Sequence, residues 1–438
     1  MALLSCVYPR EMTRILDEPA QQTQQIGEVA VPTAEPLPGS FDALKEKGFR
    51  LFIIGVFISN LGTWLQSVAL SWLILETTNS PFLVTLVPAA QFGPMLLLGM
   101  PGGVVADRFN RRKVLIATQT LMALDAALLA IVTRLGNPQP EVVLPLVVLG
   151  GCALAFNAPA FQAIIGDLVP RRRVAGAVSI NSSQFSLSRV IGPAIGGYIV
   201  GAGGPANAFA INAFSFIAVI GTLLVIHVRP HERASAISRN SFTAAFKTAS
   251  EIPVIKTLIL VAMVLSMLSA PIMALLPVIA RDVLSGGAAL YGHLFAAFGL
   301  GTAFGAIAVT RFLNRIGYRR LVLIAACMQA GLLAALAFST RFEVSVALMV
   351  VYGTCHGSVL ASTASALQLV APERQRARVM SLFLAAFAGL YPLGAVLSGL
   401  VADRWGAEKT LLMTSIALAL TVVAGFRWTR RLNEVSHH

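Results

Sequence analysis

Charged residues are scarce in this chain of 438 residues. Asp, Glu, Lys and Arg make up 12% of the sequence, about half of the share of about 25% that is usual in a soluble domain. Apolar residues make up 56%, and the mean hydropathy is +0.76. This composition excludes an ordinary soluble enzyme or binding domain. At about 20 apolar residues per crossing, it suffices for about a dozen membrane-spanning helices.

Cysteine is also rare, and the motifs of several enzyme classes are missing. The cysteines lie far apart, at Cys6, Cys152, Cys327 and Cys355, so their spacing predicts neither a zinc site nor a disulfide framework. No G-x-x-x-x-G-K-[ST] loop occurs, which argues against ATP hydrolysis by this chain, and the absence of an H-E-x-x-H pair argues against a metalloprotease. We therefore predict that the protein is not an enzyme and holds no cofactor or metal.

Apolar runs of about 20 residues follow one another from residue 50 onward, separated by short polar breaks. Backbone in the hydrocarbon core must satisfy its own hydrogen bonds, and barrel strands would alternate in polarity over about ten residues, which these runs do not. We therefore predict an all-α integral membrane protein with twelve spans. The predicted spans are residues 50–75, 81–105, 112–134, 142–164, 175–200, 206–228, 254–280, 290–311, 319–339, 343–367, 379–401 and 408–428.

Polar segments divide the predicted spans six and six. The N-terminal segment is rich in Pro and Gln and is expected to be a disordered tail. The longest internal connection is polar and basic. The predicted parts are a cytoplasmic tail at 1–48, a six-helix bundle at 49–228, a cytoplasmic linker at 229–253, a second six-helix bundle at 254–428 and a cytoplasmic tail at 429–438.

Most of the few charged residues are basic: the sequence has 33 Lys and Arg against 20 Asp and Glu, which gives a net charge of +13. In a soluble protein this excess indicates nucleic-acid binding. Sorted by the predicted connections, however, 27 basic residues lie on the side of the N-terminal tail, five lie on the other side, and Arg189 lies within a span. Basic connections stay in the cytoplasm. We therefore predict cytoplasmic termini and no nucleic-acid partner.

The two predicted bundles share residues at a fixed offset. Gly192 and Gly197 recur 202 positions later as Gly394 and Gly399. Such a repeat indicates diverged copies of one unit, as in secondary transporters built from parallel repeats. Further matches at the same offset are Pro170 with Pro372, Arg172 with Arg374, Ala175 with Ala377 and Ser179 with Ser381.

Between spans 2 and 3 a short turn carries one acid and several bases, in the pattern Gly103-x-x-x-Asp107-Arg108-x-x-Arg111-Arg112. A glycine permits close approach of two helices. The pattern resembles the G-x-x-x-D-R-x-x-R-R motif of the major facilitator superfamily. The resemblance implies two six-helix bundles that work by alternating access, with the acid helping to close the cytoplasmic side near the start of helix 11. The alternative is a solvated charge cluster that only fixes topology.

Span 5 contains a proline among glycines, preceded by a basic residue. Proline removes a backbone hydrogen bond and glycine removes bulk, so we expect a kink and a close approach by another helix. The run resembles the G-x-x-x-G-P-x-x-G-G motif of facilitator-superfamily antiporters, with Ser188 in place of the first glycine. This resemblance favours export, whereas simple helix packing is the alternative. The residues concerned are Arg189, Gly192, Pro193, Gly196 and Gly197.

Two formal charges fall well inside the predicted spans, at Asp125 and Arg189. Such charges cost at least about 2–3 kcal/mol at mid-bilayer and indicate function by default. The two residues could pair, or Asp125 could carry a coupling proton. A neutral or locally bonded Asp125 is the third alternative, because helix 3 stands at the periphery of the fold that the motif implies.

The first span carries a polar stripe and continues into Leu75–Pro81, in a segment similar to the enterobactin-exporter-like branch of the superfamily. In that fold helices 1, 4, 7 and 10 line a central cavity. The resemblance thus implies a modestly polar, uncharged cavity suited to a bulky amphiphilic molecule, although each residue could instead bond a neighbouring helix. The candidate lining residues are Asn60, Gln66, Gln91, Asn157, Gln162, Gln184, His293 and His356.

The resemblance implies a secondary transporter in a bacterial inner membrane. It is expected to export a small amphiphilic molecule, siderophore-like or drug-like, by alternating access in exchange for protons. Its expected partners are the substrate, protons and the lipid bilayer, and it is expected to be a monomer. A lysolipid flippase or a facilitated importer on the same fold is the alternative.

Overall fold

A computed structural model describes residue 39 and residues 41–136, 138–226, 251–373 and 375–428, with the backbone alone described at 310–314, 377–378, 388 and 425–428. The predicted N-terminal tail up to residue 38, most of the predicted linker at 229–253 and the predicted C-terminal tail at 429–438 lie outside these residues.

Twelve long α-helices account for nearly all of the described residues. We number them α1 (Lys47–Thr78), α2 (Pro81–Arg108), α3 (Arg111–Arg134), α4 (Pro140–Leu168), α5 (Val174–Gly203), α6 (Pro205–Val225), α7 (Pro253–Ala274), α8 (Ala288–Ile316), α9 (Tyr318–Ala337), α10 (Phe342–Val370), α11 (Arg376–Trp405) and α12 (Ala407–Trp428). A short helical segment, Leu276–Val283, continues α7.

The predicted fold class is confirmed, and each predicted span has its helix. In the described ranges, 11 helices are long and apolar enough to cross a membrane by length and composition. The remaining one is α5, which has 30 residues but carries a polar run from Ser179 to Ser188. Several helices extend beyond the predicted bounds: α1 has 32 residues, or about 48 Å, against about 30 Å of hydrocarbon.

Folded structure begins earlier than expected, within the predicted tail. A 3-10 helix covers Asp42–Lys45, and α1 begins at Lys47. Helical structure therefore precedes residue 48, and Ala43 and Phe49 are buried in an apolar cluster formed with residues of α4, α5 and α6. Glu46 adds an ion pair to Arg173, with 2.7 Å between oxygen and nitrogen.

The connection between α1 and α2 is very short and is determined by its residue types. Asn79 ends α1 with φ 52°, a left-handed conformation that asparagine tolerates. The Ser80 side chain accepts a hydrogen bond from the Leu83 backbone N–H at 3.3 Å, and Pro81 occupies the first helical position. Serine caps and N-terminal prolines both favour helix initiation.

Helix packing repeats between the first six helices and the second six. In the first set, α1 packs on α5 and α6, α2 on α4, and α3 on α4 and α6. In the second set, α7 packs on α11 and α12, α8 on α10, and α9 on α10 and α12. Two extensive contacts join the sets, α5 with α8 and α2 with α11. They are equivalent in the repeat, because α5 corresponds to α11 and α2 corresponds to α8.

Candidate functional site

The helices run alternately between two ends of the bundle. We call the end with the α2–α3 and α4–α5 connections the basic end, because the cluster Arg171–Arg173 lies there. The end with the α1–α2 and α7–α8 connections is the opposite end. Contacts agree with this alternation: Arg134 at the end of α3 donates a hydrogen bond to Asn207 at the start of α6, at 3.0 Å.

At the opposite end, α5 and α8 touch through their backbones. A Cβ atom on Gly197 would lie 2.5 Å from the carbonyl oxygen of Ala288 and 2.9 Å from Cα of Gly292. Gly292 faces Cα of Gly197 and the carbonyl oxygen of Pro193 in return. No side chain fits at either glycine while the two helices are in contact. The close approach predicted for this run is therefore present.

The second repeat makes the corresponding contact between α11 and α2. A Cβ atom on Gly399 would lie 3.0 Å from Cα of Phe82 and would meet the hydroxyl of Thr85. Gly192, the other repeated glycine, faces Trp64 of α1, and its counterpart Gly394 faces α7. Equivalent glycines thus serve equivalent contacts in the two repeats.

Two charged residues of the second set of helices bind the α1–α2 connection. Arg281 donates hydrogen bonds to the Asn79 side chain at 2.7 Å and to the Leu75 carbonyl oxygen at 3.3 Å. Asp403 accepts one from the Ser80 hydroxyl at 3.0 Å. A cation thus sits at the C-terminus of α1 and an anion at the N-terminus of α2, as the helix dipoles favour.

The sequence contained a signal for this contact that we missed. Val-Ala-Asp-Arg ends α2 with Asp107 and Arg108, and the same four residues end α11 with Asp403 and Arg404. The two copies lie at different ends of the bundle. In this structure the α11 copy joins the two sets of helices.

At the basic end, Asp107 makes no hydrogen bond or ion pair with any described residue. It is half-buried at the end of α2, and Arg108 beside it is exposed. Arg111 forms an ion pair with Asp167 of α4, with both N–O distances below 3 Å. Arg112 donates to the last turn of α6, at the Leu224 carbonyl oxygen, at 2.6 Å. The two arginines thus bind within the first six helices.

The close helix approach that we expected at Gly103 occurs one residue earlier. A Cβ atom on Gly103 would meet no atom within 4 Å, whereas one on Gly102 would lie 2.5 Å from the Ala155 carbonyl oxygen of α4. The rotation of α2 directs Gly102 toward α4, so in this structure Gly102 and not Gly103 makes the close contact.

Arg189 and Asp125, the two mid-span charges, do not pair with each other. Arg189 donates a hydrogen bond from Nη2 to the hydroxyl of Thr302 on α8, at 3.0 Å. Its guanidinium carbon lies 5.1 Å from the ring centre of Phe298. Arg189 therefore joins α5 to the second set of helices, whereas Asp125 lies within the first set.

Asp125 faces a small polar cavity inside the first six helices. Asp125 is 4% exposed, and its Oδ1 atom has no hydrogen-bond partner among the described atoms. A Cβ atom on Gly150 would lie 2.7 Å from Oδ2, so glycine makes room for the carboxyl group. The cavity offers about 30 Å³ to water, enough for one or two molecules. Its polar lining comes from Thr63, Gln66, Gln91, Asp125 and Asn212.

Most of the candidate lining residues bond another helix. Amide pairs join Asn60 to Gln184 at 3.1 Å and Asn212 to Gln66 at 2.7 Å. Asn157 donates to Thr118 at 2.8 Å, and Gln91 lies 3.5 Å from the Ser67 hydroxyl. The remaining three are Gln162, which is exposed, His293, which is exposed near the opposite end beside Ala289, and His356, which lies between aromatic rings.

Aromatic rings from several helices meet where the two sets of helices join, a cluster that was not predicted from the sequence. Trp64 of α1 lies 5.8 Å from Phe185 of α5 and 5.8 Å from Phe295 of α8, between ring centres. Further along α8, Phe298 lies 5.5 Å from His356. This junction, rather than a set of free amides, forms the centre of the candidate site.

Residues 38–437 match the sequence profile of the transmembrane secretion effector family of the major facilitator superfamily. The chain belongs to this family. Transmembrane secretion effectors of this superfamily are membrane transporters, so the protein is a multi-pass transporter and not an enzyme.

Curated relatives of this transmembrane secretion effector include exporters. It is 23% identical to the staphyloferrin A transporter of Staphylococcus aureus (89% of this chain, 99% of the relative). It is 27% identical to the multidrug efflux pump Tap of Mycolicibacterium fortuitum (86% and 94%). It is 30% identical to the enterobactin exporter EntS of Shigella boydii, over 59% of this chain and 62% of the relative.

Solved structures agree on the fold. A bacterial homologue of the human lysosomal transporter Spinster, in its inward-facing unoccupied conformation, superposes with a TM-score of 0.72 at 15% identity, covering 91% of this chain and 99% of that one. The nucleoside transporter NupG superposes with a TM-score of 0.64 at 17% identity (86% and 99%). The chain thus has the major facilitator fold.

Proposed function

We propose that this protein exports a small amphiphilic molecule, siderophore-like or drug-like, in exchange for protons across a bacterial inner membrane. The observation that carries the proposal is the similarity over most of the chain to a staphyloferrin A transporter and to a multidrug efflux pump. The glycine-proline run of α5 supports the same direction, because it resembles the motif of facilitator-superfamily antiporters. Its glycines hold α5 against both α1 and α8.

The transport cycle is proposed to alternate between closure at the two ends. The basic end faces the cytoplasm under the positive-inside rule, with both termini on that side. In this structure the opposite end is joined by Gly197, Gly399, Arg281 and Asp403, while Asp107 is without a partner among the described residues. Substrate then enters from the cytoplasm, the basic end closes, and the opposite end opens to release it. The protein works as a monomer, because one chain holds both repeats.

Export is tested by accumulation of candidate compounds in cells with and without the protein, using a panel of siderophores and drugs. We expect at least one compound to accumulate several-fold less in cells that contain the protein, and a protonophore to abolish the difference. Equal accumulation across the panel would contradict export. Higher accumulation in the cells that contain the protein would instead indicate an importer. Translocation of a labelled lysolipid would indicate a flippase.

Asp107 is proposed to close the basic end, so its substitution should act on transport and not on stability. We expect Asp107→Asn to lower efflux about tenfold, since a lost carboxylate–helix-dipole contact is worth about 0.3–1 kcal/mol and a charge pair adds to it. Its melting temperature should stay unchanged, because Asp107 has no partner among the described residues in the present state.

Asp403→Asn is the matched comparison, because it removes the carboxylate of the same tetrapeptide at the opposite end. Here we expect a lower melting temperature, since the bond to Ser80 is present. Full efflux by Asp107→Asn at normal expression would contradict the gating role.

A further inference from the structure

Arg189 places a positive charge at the middle of the junction between the two sets of helices. It lies halfway along the 30 residues of α5, and its bond to Thr302 crosses to α8. Among the described residues it has no ion-pair partner; the described acids other than Asp125 lie at or near helix ends. A guanidinium has five N–H donors, so one hydroxyl leaves most of its binding capacity unused.

Helix packing alone does not require this cation. The Thr302 hydroxyl already donates to the Phe298 carbonyl oxygen at 2.8 Å, so its own proton is satisfied without Arg189. The close approach of α5 to α8 rests on glycines at Gly197, Gly292 and Gly299. An unpaired charge inside a membrane is costly and marks a binding or transport function by default.

Aromatic rings extend from the guanidinium into the second set of helices. Phe298 of α8 lies under the guanidinium, at 5.1 Å from its carbon atom. His356 of α10 lies 5.5 Å from Phe298, and Phe387 of α11 lies 6.1 Å from His356, between ring centres. A cation beside one ring, with two further rings in line beyond it, suits a ligand with one anionic group and an aromatic or broad apolar body.

A polar stripe on α5 leads from the basic end to Arg189. Ser179, Ser182 and Ser186 are exposed and precede Arg189 at spacings of three and four residues, so they share its face of the helix. The hydroxyls of Ser182 and Ser186 donate to backbone carbonyl oxygens one turn earlier. Their oxygen atoms can still accept hydrogen bonds, which favours an aqueous path along this face. An anion entering from the basic end would reach Arg189 along it.

We propose that Arg189 binds the anionic group of the transported molecule, while Phe298, His356 and Phe387 contact its aromatic part. The substrate class is therefore an amphiphilic aromatic acid, which replaces the expectation of an uncharged cavity. A bound carboxylate competes with Thr302 for the guanidinium, so binding weakens a bond that joins the two sets of helices. This inference rests on the proposed transport function and specifies its substrate.

The test is ligand binding by the purified full-length protein in lipid nanodiscs, followed by quenching of tryptophan fluorescence. The probes are 2-naphthoate and its uncharged amide, 2-naphthamide, which differ in charge but hardly in shape. We expect the wild type to bind the acid at least tenfold more tightly than the amide. Arg189→Gln should abolish that preference, and Arg189→Lys should keep part of it. Arg341→Gln, which removes an exposed arginine at the start of α10, should leave it intact.

The variant Thr302→Val distinguishes ligand binding by Arg189 from a purely structural role. It removes the hydroxyl that accepts the hydrogen bond from Arg189 and leaves the guanidinium in place. If Arg189 is only a clamp, Thr302→Val and Arg189→Gln will lower the melting temperature alike, and neither will change the ratio of acid to amide affinity. If our proposal holds, Thr302→Val keeps the preference for the acid. A wild type that binds the acid no better than the amide overturns the proposal. Binding does not depend on the direction of transport or on its coupling to protons. A failure of proton-driven export in the accumulation experiment can therefore be distinguished from a failure of this binding proposal.

Discussion

Replacing Gly197 with alanine is expected to lower transport at least tenfold. The added Cβ would lie 2.5 Å from the Ala288 carbonyl oxygen and 2.9 Å from Cα of Gly292. Both neighbours are backbone atoms, so α5 and α8 must separate. Overpacking of this kind costs about 1–3 kcal/mol, and each 1.4 kcal/mol changes an equilibrium about tenfold. The substitution therefore shifts the protein away from closure at the opposite end.

Gly201→Ala is the matched control, because it adds the same methyl group one turn further along α5. There the nearest atoms are N and Cβ of Ala289, at 3.9 and 4.0 Å, which is ordinary van der Waals contact. Efflux should stay within about twofold of the wild type. Efflux is measured as probe loss from preloaded cells, with the amount of protein in the membrane quantified. If both alanine variants transport equally well, the α5–α8 contact does not limit the cycle.

Asp125→Asn is expected to abolish the response of efflux to a proton gradient while leaving substrate exchange intact. The carboxyl group is buried beside a cavity that can hold water, and its Oδ1 atom has no partner among the described atoms. Asparagine preserves size and polarity but cannot take up and release a proton. The measurement is efflux from proteoliposomes with and without an imposed pH gradient, together with exchange at equal pH.

Glu141→Gln provides the control for this experiment, since it neutralises an exposed acid at the start of α4 in the same set of helices. It should couple to the gradient as the wild type does. Loss of both gradient-driven efflux and exchange in Asp125→Asn would point to a structural role. Unchanged coupling in that variant would exclude Asp125 as the proton carrier.

The number, order and repeat of the helices could be predicted from the sequence, because hydrocarbon thickness fixes the length of a span and a gene-level repeat leaves a constant offset. The glycines at the offset of 202 make equivalent contacts: Gly197 with α8 and Gly399 with α2. Even α5, which is not among the 11 described helices apolar enough to cross a membrane by length and composition, was placed correctly as an apolar run at residues 175–200.

Several features of the site were not predicted, because they depend on helix rotation or on contacts between distant residues. Adjacent glycines are equivalent in a sequence, so only the rotation of α2 distinguishes Gly102, which touches α4, from Gly103, which does not. The hydrogen bond between Asn60 and Gln184 joins residues 124 positions apart, and no local sequence pattern predicts such a pair.

The charged contact at the opposite end was missed for a different reason. Asp403 was visible as part of a repeated tetrapeptide, but its partner belongs to the α1–α2 connection, in the other set of helices. In this structure the tetrapeptide of α11 is engaged, whereas Asp107 of the α2 copy has no partner among the described residues. A conformational state is a property of the whole bundle, and the sequence alone contains no sign of it.

The most direct test of alternating access is a reversible crosslink between α5 and α8 at the opposite end. A Cβ atom on Gly201 would lie 4.0 Å from Cβ of Ala289, within the range of about 3.5–4.5 Å that a disulfide requires. We expect Gly201→Cys combined with Ala289→Cys to crosslink on oxidation, to lose at least nine-tenths of its efflux, and to regain it on reduction. Full efflux by the fully crosslinked protein would contradict the account.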